Sequence, residues 1–388
     1  MNRPFFAFGA VSFTYFAGIG FFNPYSSLWL QSLGFSTVAI GIIASLQSWT
    51  RIVVPYGWSW LGDHTGRRVW LLRLAAAGTV LSTLPLLWAR EYAAIAVVVV
   101  LLYACNSGIV PLSEAAVSRL LATEQGFDAG RYGRIRMWGS IGFIVAVMLG
   151  GLALEHLGVQ AFPALVLGLA ACLLLAAWRL PAQREATAHA SPAPPALPLL
   201  REPAVAWFFA SVALTVLAHT ALYAFFSLFL ERQGYGKSQV GLFWALSVAL
   251  EVAFFWWQGR WFDRLSPWRW LQIAALATVA RFVLLAWAGQ HLGVLVLTQM
   301  SHALTFAAHH AACTTLLHRH FPGRLRGRGQ AFYATLGYGL PGVVGGVAGG
   351  WLVELAGFSA LFWAAAAAGV GAAVCVSRGW KHAQRAKE

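Results

Sequence analysis

Apolar runs of about twenty residues, separated by short basic loops, decide what this chain can fold into. A helix crosses the hydrocarbon core of a bilayer in roughly 20 residues. Within lipid every backbone N–H and C=O must be satisfied internally, so runs of this length read as helices. Such runs fall near residues 5–31, 37–61, 69–88, 92–120, 135–155, 159–179, 204–230, 238–261, 269–288, 292–317, 329–354 and 358–377. The expected fold class is an all-α membrane protein with twelve transmembrane helices. Charged residues make up only 10% of the chain, against about 25% in a soluble domain.

The net charge of +14 would point to nucleic acid in a soluble protein. Here the cations sit in loops between apolar runs and read as a topology signal, so no nucleic-acid partner is expected. The loops on one side carry 22 of the 27 Lys and Arg residues. That bias places both termini in the cytoplasm of a bacterial-type inner membrane. Arg3 precedes an apolar run with no small-residue cleavage site, so the first span is expected to be retained. Cys105, Cys172, Cys313 and Cys375 all lie in apolar segments without metal-ligand spacing, and no disulfide is expected.

Residues 180–203, rich in Pro and Ala, read as a cytoplasmic linker. It divides the chain into six-helix bundles at 1–179 and 204–380, with a basic tail at 381–388. The halves repeat. Ser27-Leu28-Trp29-Leu30 with Gly34 and Gly41 recurs as Ser227-Leu228-Phe229-Leu230 with Gly234 and Gly241, and Asp63 recurs as Asp263. Gly150-Gly151, Glu155 and Gly158 recur as Gly349-Gly350, Glu354 and Gly357. The offset stays at 199 or 200 residues. Two parallel six-helix repeats are the symmetry of a rocking transporter, with its site between the halves near the midplane.

Ionisable residues inside apolar runs are the second constraint. By insertion scales each costs roughly 2.5–3.5 kcal/mol at a helix centre, and a chain keeps them mainly where they face a polar cavity and pair. Glu114 lies within the fourth run, and Arg136 opens the fifth. Glu251, Arg281 and His302 lie in runs eight, nine and ten, each alone in apolar sequence, an arrangement that calls for mutual pairing. Asn23, Arg51, His219 and His309 are further cavity candidates. His302, His309 and Cys313 share a helical face, but no partner ligand is evident and no metal or other cofactor is expected. The glycines from Gly337 to Gly346 read as a surface for close helix contact. Trp244, Trp256 and Phe143 are candidates for an apolar wall against a flat ring.

Several motifs carry a family resemblance. Ser59-Trp60-Leu61-Gly62-Asp63-His64-Thr65-Gly66-Arg67-Arg68 resembles the signature loop of the major facilitator superfamily, Gly-x-Leu-x-Asp-Arg-x-Gly-Arg-Arg, with Ser59 and His64 departing from it. Gly259-Arg260-Trp261-Phe262-Asp263-Arg264 is a weaker copy. The resemblance implies a gate on the cytoplasmic side built from Asp63, Gly66, Arg67, Arg68, Asp263 and Arg264. PLSEA around Glu114 and YGRIRMWGS around Arg136 resemble the branch of the phenylpropionate carriers, the lactose permease and the nucleoside–proton symporters. In the lactose permease a Glu and an Arg at the positions of Glu114 and Arg136 bind the sugar, and a Trp stacks on it where this chain has Phe143. The resemblance also implies proton coupling through Glu251, Arg281 and His302. A Glu one turn after the His takes the proton in the lactose permease; this chain has Thr305 there, which leaves Glu251 or His302.

The expected function is secondary active transport of a small organic solute, a proton symport of an aromatic carboxylate by a monomer in the lipid bilayer. A nucleoside or sugar is the alternative substrate. From other classes, a ligand-binding membrane sensor would need a signalling domain that the short loops do not offer. An enzyme would need a nucleophile–base pair or a metal set, and neither is evident.

Overall fold

The computed structural model describes residues 3–123, 126–181 and 195–385. Most of the linker read from the sequence, and the end of the basic tail, lie outside the described residues. The described part is almost wholly helical. In the first half the helices are α1 (Arg3–Ser32), α2 (Thr37–Thr65), α3 (Arg68–Thr83), α4 (Tyr92–Asn106), α5 (Ile109–Leu120), α6 (Ala129–Leu157) and α7 (Phe162–Trp178). In the second half they are α8 (Pro203–Arg232), α9 (Lys237–Trp257), α10 (Pro267–Ala288), α11 (Leu292–Met300), α12 (His309–His320), α13 (Arg326–Phe332) and α14 (Leu340–Arg385). A two-residue antiparallel ladder pairs Ala122 with Phe127 and Thr123 with Gly126 between α5 and α6.

Ten helical segments of the described residues are long and apolar enough to cross a membrane. The expected count of twelve differs for two physical reasons. The last segment, Gly323–Arg385, contains Gly357 at φ 78°, ψ 177°, where two helices meet at a sharp break. The tenth expected span is interrupted by a π-helical turn, Ala303–Ala308, between α11 and α12. The fourth expected span is likewise two helices, broken at Ser107–Gly108. Trp58 of α2 fills the space a side chain at Gly108 would need, and its indole N–H donates to the Ala104 carbonyl at 2.9 Å. The break frees that carbonyl, and the indole satisfies it.

The chain forms two compact units. The first comprises α1, α3 to α7, α2 from Trp49 onward, and residues Gly234–Ala245 at the start of α9. The second comprises α8, α10 to α14, the rest of α9, and residues Ser36–Ser48 at the start of α2. In the first unit Glu155 of α6 accepts from the backbone N–H and hydroxyl of Ser238, at 2.9 and 3.0 Å. In the second, Glu354 of α14 accepts from the Thr37 hydroxyl at 3.2 Å and the Val38 N–H at 3.3 Å. Each carboxylate thus caps the N-terminus of a helix, where orphan N–H groups and the helix dipole favour a negative charge. The two caps are related by the repeat offset. So are Gly34 and Gly234 at φ 85° and 87°, and Gly158 and Gly357 at φ 83° and 78°. Only glycine adopts that left-handed region without strain.

Close packing inside each unit rests on glycine. In the first unit a Cβ at Gly142 of α6 would run into the Phe13 carbonyl oxygen of α1. Gly139 and Gly150 meet Phe16 and Phe21 of α1 in the same way. In the second, Gly345 and Gly349 of α14 meet Thr220 and Phe225 of α8, whereas Gly342, Gly346 and Gly350 meet Ser48, Gly41 and Thr37 of α2. The i, i+4 spacing gives α14 two smooth faces, one for each neighbour. The glycine-rich stretch therefore serves helix contact, as its sequence indicates.

Gly142→Val should lower stability by about 1–3 kcal/mol, the usual cost of overpacking. Gly168→Ala, where nothing lies within 4 Å of the added carbon, should be neutral or slightly stabilising. Thermal unfolding of the two purified variants in detergent distinguishes them.

Candidate functional site

In the first unit α1, α5 and α6 line an open, narrow cleft. Its walls include Ser12, Tyr15 and Phe16 of α1, Ser113 and Glu114 of α5, and Tyr132 and Arg136 of α6. The break at Ser107–Gly108 reorients the chain before α5, which carries Glu114 in its second turn. Tyr132 and Arg136 are one turn apart on α6 and so share a face. Arg136 Nη1 donates to Glu114 Oε1 at 3.2 Å, and the Tyr132 hydroxyl donates to Glu114 Oε2 at 2.6 Å. Both carboxylate oxygens are engaged. The Arg136 guanidinium also lies over the Phe16 ring, 5.1 Å from its centroid, a cation–π arrangement.

Arg51 of α2 contributes to the same polar region. Arg51 and Arg136 both act electrostatically on the Tyr15 hydroxyl, and Arg51 acts on Tyr103 as well. The Tyr103 hydroxyl in turn donates to Asn23 Oδ1 at 3.3 Å. Arg51 is itself exposed and is not among the residues that line the cleft. Arg51 makes no ion pair among the described residues.

The second unit holds a separate buried polar array. Arg281 of α10 is 2% exposed. Its Nη1 lies 3.1 Å from His302 Nδ1 and 3.1 Å from Thr305 Oγ1, and its Nη2 lies 3.2 Å from Gln299 Oε1. The Ser247 hydroxyl donates to the same Gln299 oxygen at 2.7 Å. His302 Nε2 faces Glu251 Oε2 at 3.6 Å. The π turn at Ala303–Ala308 lies beside this array, a common place for such an irregularity. His219 of α8 closes one side: its Nδ1 donates to the Thr215 carbonyl at 2.8 Å, and its ring centroid is 6.5 Å from that of His302. Its Nε2 is buried and has no hydrogen-bond partner in the structure.

The description "MFS_1 like family" belongs to a family model that matches residues 6–364, nearly the whole chain. The protein belongs to the MFS_1 like family. It is a multi-pass membrane protein of the major facilitator class of transporters. Among known relatives, a probable 3-phenylpropionic acid transporter of Escherichia coli (strain K12) is 28% identical, covering 90% of this chain and 91% of that protein. A maltose permease of Geobacillus stearothermophilus is 29% identical over 88% of this chain and 86% of that protein. The fold is similar to that of the nucleoside transporter NupG in a mutant form, with a TM-score of 0.87 at 18% identity, covering 97% of this chain and all of that one.

The other sequence candidates of this MFS_1 like protein take varied places. Phe143 packs against Gly20 of α1 and does not line the Glu114 cleft. His309 is buried beside Cys313, with its ring nitrogens 3.5 and 3.7 Å from the sulfur. Trp256 is 72% exposed and is not among the residues that line the Glu114 cleft. In the signature loop Arg68 pairs with Asp63, and Gly66 takes φ 62° between α2 and α3. Arg67 occupies the N-cap position of α3. The second copy differs locally. Asp263 and Arg264 lie in a 3₁₀ turn, Phe262–Arg264, and Asp263 makes no ion pair among the described residues. The stacking of Phe262 on Trp270, at 5.4 Å and 4°, holds that turn instead.

Sequence reasoning passed over Tyr132, Tyr15, Gln299 and Ser247. Tyr132 had a readable signal: it precedes Arg136 by one helical turn. Gln299 did too, as an amide inside an apolar run three residues before His302.

A double-mutant cycle of Tyr132→Phe and Glu114→Gln, read from thermal or denaturant unfolding, should give a coupling of about 1 kcal/mol. A coupling indistinguishable from zero would show that the bond between them contributes nothing in solution.

Proposed function

We propose that this protein is a secondary transporter that carries a small aromatic carboxylate together with a proton across a bacterial-type inner membrane. Both termini are cytoplasmic in this reading, the working unit is a monomer, and the proton gradient supplies the energy without a cofactor. The carrying observation is the Arg136 guanidinium in an aromatic-walled cleft, paired with Glu114 and lying over the Phe16 ring. A carboxylate about 4 Å from a guanidinium gains roughly 4 kcal/mol at an effective dielectric near 20. Tyr15 and Phe16 offer apolar faces for a ring beside that charge.

A sugar or nucleoside would use Glu114 as a hydroxyl acceptor. In this structure both oxygens of Glu114 already accept, from Tyr132 and Arg136. One relative is named for 3-phenylpropionic acid and another, of similar identity, for maltose, so the preference for the acid rests on the cleft. Alternating access then requires that loading change the energy difference between the two conformations. The signature loop, with Asp63 held by Arg68, supports a gate that opens and closes once per cycle.

The test is uptake into proteoliposomes under an imposed pH gradient, with 3-phenylpropionate compared against uridine and maltose. Accumulation of the aromatic acid alone, abolished by a protonophore, is the expected result, and Arg136→Gln should raise its KM about tenfold or more. Accumulation of uridine or maltose, with none of the acid, would overturn the substrate assignment.

A further inference from the structure

The array in the second unit contains two groups able to carry a proton, Glu251 and His302, and its hydrogen-bond directions separate them. A guanidinium has donors and no acceptor. Arg281 Nη1, 3.1 Å from His302 Nδ1, therefore requires Nδ1 to accept. In a neutral imidazole the remaining ring nitrogen then carries the hydrogen. That nitrogen, Nε2, is the one facing Glu251 at 3.6 Å. A doubly protonated His302 would set an N–H against the guanidinium and a second cation beside it, in a region where Arg281 is 2% and His302 5% exposed.

Ser247 and Arg281 both donate to Gln299 Oε1, and Arg281 donates to Thr305. Arg281 Nε and Gln299 Nε2 are buried with no hydrogen-bond partner among the described residues. On the far side of the His302 ring, Nε2 faces Glu251. Glu251 is also the best hydrated member of its pair, with its side chain 21% exposed against 6% for His302. A proton arriving by water reaches the carboxylate first.

The titratable and charged groups around the array come from each neighbouring helix: Arg281 from α10, His302 beside the π turn, His219 and Tyr223 from α8, and His309 from α12. His219 Nε2 is open to a proton. Protonation there would place a second cation near Arg281 with no carboxylate in contact.

Resting on the proposed proton symport, we infer that Glu251 is the proton-carrying group and that His302 stays neutral throughout, positioning Glu251 against Arg281. The proton adds to the Glu251 carboxylate from water on one side of the membrane and leaves to water on the other, and no other bond changes. With one titrating site and a monoanionic substrate, the cycle moves one proton and one negative charge together. Transport is then electroneutral, driven by a pH difference and indifferent to membrane potential.

The test uses full-length protein in proteoliposomes, with Glu251→Gln and His302→Asn. The amide carbonyl introduced by the second substitution can accept from Arg281 as Nδ1 does. His302→Asn should run about tenfold slower and still move one proton per substrate. Glu251→Gln should lose accumulation under a pH gradient and all proton movement, while still exchanging labelled for unlabelled 3-phenylpropionate. A potential set by potassium and valinomycin, without a pH gradient, should drive no accumulation in wild type. Loss of coupling in His302→Asn, or its retention in Glu251→Gln, overturns the inference. Infrared difference spectra of the detergent-solubilised wild type provide a readout without transport: acidification should raise a carboxylic-acid band that Glu251→Gln lacks, and imidazolium modes in its place would equally overturn it. Absence of both uptake and exchange for every compound tried would instead remove the transport reading, with the infrared result still deciding where the proton sits.

Discussion

A guanidinium buried to 2% exposure, with three neutral acceptors around it and no carboxylate in contact among the described residues, is the group on which the rest of this structure turns. An isolated charge in a low-dielectric interior costs far more than one domain's net stability unless it is compensated. Arg281 meets part of that cost with hydrogen bonds. Its Nε is buried with no hydrogen-bond partner among the described residues, and the Glu251 carboxylate faces the far nitrogen of the His302 ring. Direct contact between Arg281 and Glu251 would make a stronger pair and a poorer switch. In the proposed cycle an interposed neutral ring would let the carboxylate change its charge while the guanidinium keeps its bonds.

The first unit solves the same problem differently. Glu114 and Arg136 touch, Tyr132 holds the carboxylate's second oxygen, and the guanidinium lies over the Phe16 ring. The two polar sites therefore have complementary properties. One is a cleft with an aromatic wall, and the other is a buried array around Arg281 with Glu251 beyond the His302 ring. In both, a helix irregularity accompanies the charge: the Ser107–Gly108 break before Glu114, and the π turn after His302. Irregular backbone at membrane depth persists where protein groups re-satisfy it, as Trp58 does for Ala104.

Much of this was legible in the sequence because lipid leaves few alternatives. Run length set the helices, and stranded charges named the pairs that the structure then brought together. Constant offsets revealed the repeat, which reappears as matched left-handed glycines and as the caps made by Glu155 and Glu354. What escaped depends on register inside a helix. The π turn that carries Thr305 has no sequence mark, so the role of Thr305 was hidden, whereas Gln299 precedes the turn and was readable as an amide in an apolar run. Phe143 was placed at the ligand by resemblance alone, and its backbone instead lies against Gly20. Trp256, picked for its aromatic character, is largely exposed.

The claim common to both sites is that an anion and a proton bind together. Its most direct measurement is proton uptake by the weakly buffered, detergent-solubilised full-length protein when 3-phenylpropionate is added near neutral pH. About one proton should be taken up per carboxylate bound, and Kd should weaken about tenfold for each pH unit above the point where Glu251 ionises. Binding of the acid with no proton taken up, and a Kd flat across that pH range, would contradict the account.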